Sequence, residues 1–197
     1  MKLRAVPVQY ARLVRHQLDG VERAELERVD DLAARLRSHL EARADAIDKV
    51  HVLGAQSSAV QRIVAELLEH ELGFGSEVVL SPQDGLVTQA RPDFVFWLDE
   101  GRGILGEVER GGTTTNNHDL KDMWKAHISP DTQHLFLVVP QANWGAGGQA
   151  REKPFPRVAY RLAAFFGDAR RELDVVSAHI FGYGQVDGPV TDVDPEI

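Results

Sequence analysis

Three acidic residues stand where strand-like segments should bury apolar side chains. One segment reads Arg91-Pro92-Asp93-Phe94-Val95-Phe96, and the next reads Gly106-Glu107-Val108-Glu109-Arg110. Residues two apart on a strand point to the same face. Glu107 and Glu109 therefore project together, and Val108 points the other way. If the two strands pair as a hairpin, Asp93 stands beside Glu107. Three carboxylates on one patch repel each other unless something positive lies between them. A hard divalent cation such as Mg2+ or Mn2+ takes oxygen ligands of this kind. The chemistry it would support is phosphodiester hydrolysis. Alternating Glu residues can also mark a solvated strand face. Against that stand the position of Asp93 on an otherwise apolar strand and the apolar Ile104-Leu105 before Glu107.

The elements that must position these residues follow from periodicity. Residues 7–18 read as a short helix, with Pro7 in its first turn and Gly20 beyond its end. Asp19 and Glu22 have capping-box spacing and open a long helix. Its apolar stripe runs through Val21, Leu26, Val29, Leu32, Leu36, Leu40, Ile47 and Val50. Residues 1–56 thus form an N-terminal helical arm or hairpin. It could pack on its own domain, pair two copies as a homodimer, or clamp DNA with Arg12, Arg15, Arg35 and Arg37. Leu53 to Gln56 is a break. Ser58 and Gln61 form a second capping pair, and Val60, Ile63, Val64, Leu67, Leu68 and Leu72 give a helix stopped by Gly73.

Strands are then expected at Glu77 to Leu80, Asp93 to Leu98 and Gly103 to Glu109. Turns at Gln83-Asp84-Gly85 and Glu100 to Gly103 separate them. A helix at about 118–128, capped by Asn117, leads to a buried strand, His134 to Val139. Gln141 to Gly148 is a Gly-rich loop. A helix from Pro156 to about Leu173 and a strand from Asp174 to Phe181 follow. Residues 57–185 make one core, and 186–197 an acidic tail. The order is that of an α/β sandwich around a mixed sheet.

Composition narrows the classes. The chain has 197 residues, 43% of them hydrophobic, enough for one substantial core. It has no cysteine, which excludes thiol catalysis, Cys-ligated zinc, iron–sulfur clusters and disulfides. No apolar run is long enough to span a bilayer, and Met1 to Gln9 lacks the apolar stretch of a signal peptide. A cytoplasmic protein with no membrane partner is expected. The net charge is −8. Residues 1–56 carry ten Lys and Arg against nine Asp and Glu, and the remainder twelve against twenty-one. A domain that coats nucleic acid non-specifically is usually basic, so any DNA contact must be local.

The carboxylate pattern and element order resemble the restriction-endonuclease-like superfamily, the PD-(D/E)XK nucleases. The resemblance covers roughly residues 57–140. It runs through an opening helix, a strand with Pro92-Asp93, a strand with Glu107-Val108-Glu109, a helix and a buried strand. It implies a mixed central sheet flanked by helices, with the N-terminal helical part as an extension. It also implies that Asp93 and Glu107 bind Mg2+ or Mn2+. The third family position is usually Lys and is Glu109 here, which makes Glu109 a metal ligand or general base. Lys121 or Lys125 on the following helix could supply a relocated cation, or touch phosphates. The opening helix resembles the first helix of Mrr-type members. The Glu that supports their metal site falls on Gln61, while Glu66 reads as a surface residue.

The expected activity is metal-dependent DNA hydrolysis, of a restriction or defence kind. The alternative is an inactive module of the same fold that binds nucleic acid or a protein. Candidate nucleic-acid contacts are Arg110, Thr113 and Thr114 after the Glu-x-Glu strand, Lys121 and Lys125, and the cluster Arg151, Lys153 and Arg157. Trp124 reads as a core residue, and Trp144 lies in the Gly-rich loop.

Overall fold

The computed structural model describes residues 8–54, 56, 58–76, 78–80, 91–146, 149–170 and 172–186. The expected turn at 83–85 and the acidic tail from 187 onward lie outside them.

Six strands form one mixed sheet in the order β1-β8-β5-β4-β3-β2. They are β1 (Gln9–Val14), β2 (Gly75–Ser76), β3 (Phe94–Asp99), β4 (Arg102–Val108), β5 (His134–Pro140) and β8 (Ser177–Tyr183). The two-residue strands β6 (Asn143–Trp144) and the short β7 (Ala150–Glu152) pair as a separate hairpin. β3 and β4 are antiparallel, with Phe94 opposite Gly106 and Val95 opposite Leu105. β4, β5 and β8 run parallel. Parallel strands need a crossover. Helix α4 (His118–Ile128) joins β4 to β5, and α5 (Pro154–Phe166) lies between β5 and β8.

Side-chain alternation sorts the core into two layers. Phe94, Ile104, Phe136, Val138, Phe181 and Tyr183 face α1 (Gly20–Ala42), α2 (Ala44–Val50) and α3 (Ser58–Leu68). Val95, Leu105, Leu135, Leu137, Ala178 and Ile180 face α4 and α5. β5 and β8 are buried throughout, as strands covered on both faces must be. The result is the expected mixed α/β class, but residues 8–50 supply an edge strand and much of one helical layer rather than standing outside a 57–185 core as an arm.

Helix α1 has the capping box its sequence announces. Asp19 Oδ1 accepts from the Glu22 N–H at 2.8 Å, and Glu22 Oε2 accepts from the Asp19 N–H at 3.0 Å. Its stripe, Leu26, Val29, Leu32, Ala33, Leu36 and Leu40, is spent on the chain's own core. Of the readings offered for this segment, packing on its own domain is the one its apolar stripe follows. Arg12 binds Asp30 through two nitrogens, at 2.6 and 2.8 Å, Arg15 pairs with Glu22, and Arg37 pairs with Glu41. Three of the four cations proposed for a DNA clamp are thus engaged within the chain.

Residues 9–14 are a strand, not the helix expected over 7–18. Pairing with β8 decides it: Tyr10 joins the α1 layer, and Ala11 and Leu13 join the α5 layer. α5 starts two residues earlier than expected and ends at Phe166, and β8 runs to Tyr183. Asn117 precedes α4 in the left-handed region, φ 55°, and makes no side-chain cap. Its Oδ1 instead accepts from Arg161 Nη2 at 2.6 Å.

Candidate active site

The β3–β4 hairpin brings Asp93 beside Glu107, as the sequence requires. Asp93 Oδ2 accepts from the Val108 N–H at 2.9 Å, and the Asp93 N–H lies 3.4 Å from Glu107 Oε2. Glu107 continues the face of Leu105, so it points at α4. It is 6% exposed. Glu109 lies just beyond the strand, anchored by its own N–H to the Val138 carbonyl at 2.8 Å. Tyr183 Oη donates to its carbonyl at 2.9 Å.

Helix α4 completes the group. Lys125 Nζ donates to Glu107 Oε1 at 2.7 Å and to Asp122 Oδ1 at 2.9 Å. His118 Nδ1 is 2.8 Å from Glu109 Oε2. Asp122 is 2% exposed and lies within hydrogen-bonding reach of Glu109. Four carboxyls thus face one ammonium and one imidazole, and negative charge is in excess. Burial, and then the nearby Asp122, push Glu107 up to about 8, against the pull of Lys125. Burial and Asp122 likewise raise Glu109, and burial raises Asp122. Burial pulls Lys125 down, but Asp122 and Glu107 outweigh it and hold the ammonium above its ordinary value.

The donor chemistry suits a hard cation, because all four groups offer carboxylate oxygen. Asp122 Oδ2 is buried and has no hydrogen-bond partner, although it belongs to a carboxyl facing another carboxyl. Such an oxygen requires a proton or a cation nearby. Among the described residues, however, no three His, Asp or Glu side chains are already set as a ligand group for a metal ion. The reason is visible: Lys125 takes the place of positive charge between Glu107 and Asp122, and Asp93 is turned to the Val108 N–H.

The other expected site residues divide. Gln61 sits on α3, whose apolar face packs on the opposite side of the sheet from Glu107. Among the described residues, no hydrogen bond joins it to the carboxylates. Glu66 pairs with Arg43 at 2.6 Å, a surface role as expected. Thr113 is fully buried and donates to the Arg110 carbonyl at 3.1 Å, while Thr114 is 5% exposed and reaches Glu152. Both hydroxyls face inward rather than toward a phosphate. Lys121, Lys153 and Arg157 are exposed on α4 and at the start of α5. Arg110 and Arg151 line one cavity. Arg161 is engaged with the Thr114 carbonyl, Asn117 and Asp119.

Asp122 and the His118–Glu109 contact are the parts that reading the sequence missed. A signal was present: Asp119, Asp122, Met123 and Ala126 share one face of α4, and all four are buried. Carboxylates in an apolar stripe mark a site or a buried ion pair. Compared with known proteins, the sequence matches no family model and no curated protein.

Proposed function

We propose that the chain is a divalent-metal-dependent nuclease of the PD-(D/E)XK type, hydrolysing DNA phosphodiester bonds. One observation carries the reading: Lys125, from the helix after the Glu-x-Glu strand, reaches Glu107 and Asp122 inside the carboxylate cluster. It stands for the cation that the sequence lacks at position 109. The order of elements from α3 to β5, with Asp93 and Glu107 on adjacent strands, supports the same reading.

In this reading Asp93, Glu107 and Asp122 would hold Mg2+ or Mn2+, with Glu109 beside them, and a bound ion would supply Lewis-acid polarisation of the phosphoryl group. Lys125 then turns from Asp122 toward phosphate oxygen and offsets its developing charge. Glu109, held by His118, is placed to accept the proton of the attacking water. The alternative is an inactive module of the same fold, favoured by the carboxylates being already partnered by Lys125 and His118.

The deciding experiment incubates supercoiled, linear and single-stranded DNA with Mg2+ or Mn2+, beside Asp93→Ala and Glu107→Ala. Metal-dependent cuts that vanish in both variants are expected. Absence of cleavage, in a folded sample that binds no Mn2+ by calorimetry, gives the assignment to the inactive module.

A further inference from the structure

We infer that the nuclease binds an unpaired nucleotide next to the bond it cuts, in a cavity where Trp144 stacks on the base; this rests on the reading above. The cavity has a volume of about 420 Å3 and includes Arg110, the residue after Glu109. The cavity therefore adjoins the chain segment that carries Glu109. Its walls come from the turn after α2, the loop after β4 and the β6–β7 hairpin.

These walls are tied together before any ligand arrives. Arg110 donates to the Val52 carbonyl. Asn143 Nδ2 donates to the Arg110 carbonyl at 3.0 Å and to Glu152 Oε1 at 2.7 Å. Thr115 Oγ1 donates to Glu152 Oε2 at 3.1 Å. Gly112 has φ 78°, and a Cβ there would lie 2.5 Å from Asn116 Nδ2, so only glycine makes this turn. Partly exposed Trp144 and the cations Arg110 and Arg151 share the lining.

An indole and two guanidinium groups around a concave space suit a base with its phosphates. A base paired within a duplex cannot enter such a space without leaving its stack. An unpaired base enters freely, and every base has a face for the indole. The net charge of −8 points the same way. Duplex affinity comes mainly from neutralising many phosphates, whereas stacking makes no demand on net charge.

The test is fluorescence anisotropy of the full chain, without divalent metal, titrated against a labelled single-stranded oligodeoxynucleotide and the same sequence as a blunt duplex. The single strand should bind at least tenfold tighter than the duplex. Trp144→Ala should weaken the single strand at least fivefold and leave the duplex unchanged, and Trp144→Phe should keep most of the affinity. Equal binding of both DNAs, or a Trp144→Phe variant as weak as Trp144→Ala, overturns the assignment. Asp93→Ala must bind the single strand at least as tightly as the unaltered chain does. If it does while no DNA is ever cut, the cavity stands and the nuclease reading fails. If DNA is cut and Trp144→Ala binds and cuts single strands normally, the cavity assignment fails alone.

Discussion

At the scale of residues, the cluster is held in a configuration that costs stability. Asp122 Oδ2 is buried without a partner beside Glu109. Asp122→Asn keeps an oxygen for Lys125 and places an N–H where a carboxylate faced another. It should stabilise the fold by about 1 kcal/mol and abolish metal-dependent cleavage, the opposed effects expected of a functional site. Urea denaturation of the two chains checks it; a destabilised variant would mean that Asp122 is simply half of a structural ion pair. The pH dependence has a definite sign. Glu107 ionises near its ordinary value when unfolded and only near pH 8 when folded. The folded state therefore holds more protons between about pH 4.5 and 8, and stability falls through that window, by at most about 1.4 kcal/mol per unit. Asp122→Asn should flatten the fall. The Asp93, Glu107 and Glu109 part of this site was legible, because strand alternation places side chains reliably. Asp122 was not, because a carboxylate in a helix is assigned to solvent unless its stripe position is counted.

At the scale of elements, β1, β8, β5 and α1 are joined by a buried polar chain. Glu25 is held below its ordinary value, since Arg102 outweighs the effect of burial, and it accepts from Arg102 at 2.8 and 2.5 Å. Its Oε2 lies 3.5 Å from His134 Nε2. His134 Nδ1 lies 2.8 Å from Ser177 Oγ, Ser177 Oγ lies 3.0 Å from His179 Nε2, and His179 Nδ1 lies 2.7 Å from Tyr10 Oη. Burial holds His134 down to about 4 and His179 down to about 3, so each ring is neutral with one N–H. Ser177→Ala strands two buried ring nitrogens, each costing about 1–3 kcal/mol. Tyr10→Phe strands one. Ser177→Ala should therefore cost about twice as much in urea unfolding, and equal costs would refute the continuous chain. This network explains why the helix expected at residues 7–18 is a strand. Tyr10 is fixed by partners about 170 residues away, and local periodicity carries no trace of them. α1, α3, β3, β4 and β5 were legible because caps, stripes and buried runs are local signals.

At the scale of the whole molecule, charge and site pull in opposite directions. The chain carries −8, and the cluster sets four acidic groups against one ammonium and one imidazole. Beside the cluster, the cavity supplies two cations, Arg110 and Arg151. For single strands, each neutralised phosphate contributes a slope of about −0.7 in log K against log salt. Two contacts give a slope of about −1.4, shallow beside the value near −5 or steeper of domains that bind through many phosphates. Divalent metal should act unusually as well. In a basic domain Mg2+ competes for the DNA and weakens binding. In this chain it relieves the excess charge of Asp93, Glu107, Glu109 and Asp122 and should strengthen binding to an uncut, phosphorothioate-substituted strand. Asp93→Ala should lose that gain while keeping the shallow slope, because the cavity cations are untouched. Anisotropy titrations across 50–300 mM salt, with and without Mg2+, measure both quantities. A slope steeper than about −4 would show that the exposed Lys121, Lys153 and Arg157 form the main DNA surface. Weakening by Mg2+ in both chains would show that the carboxylates do not control access of phosphate to the site.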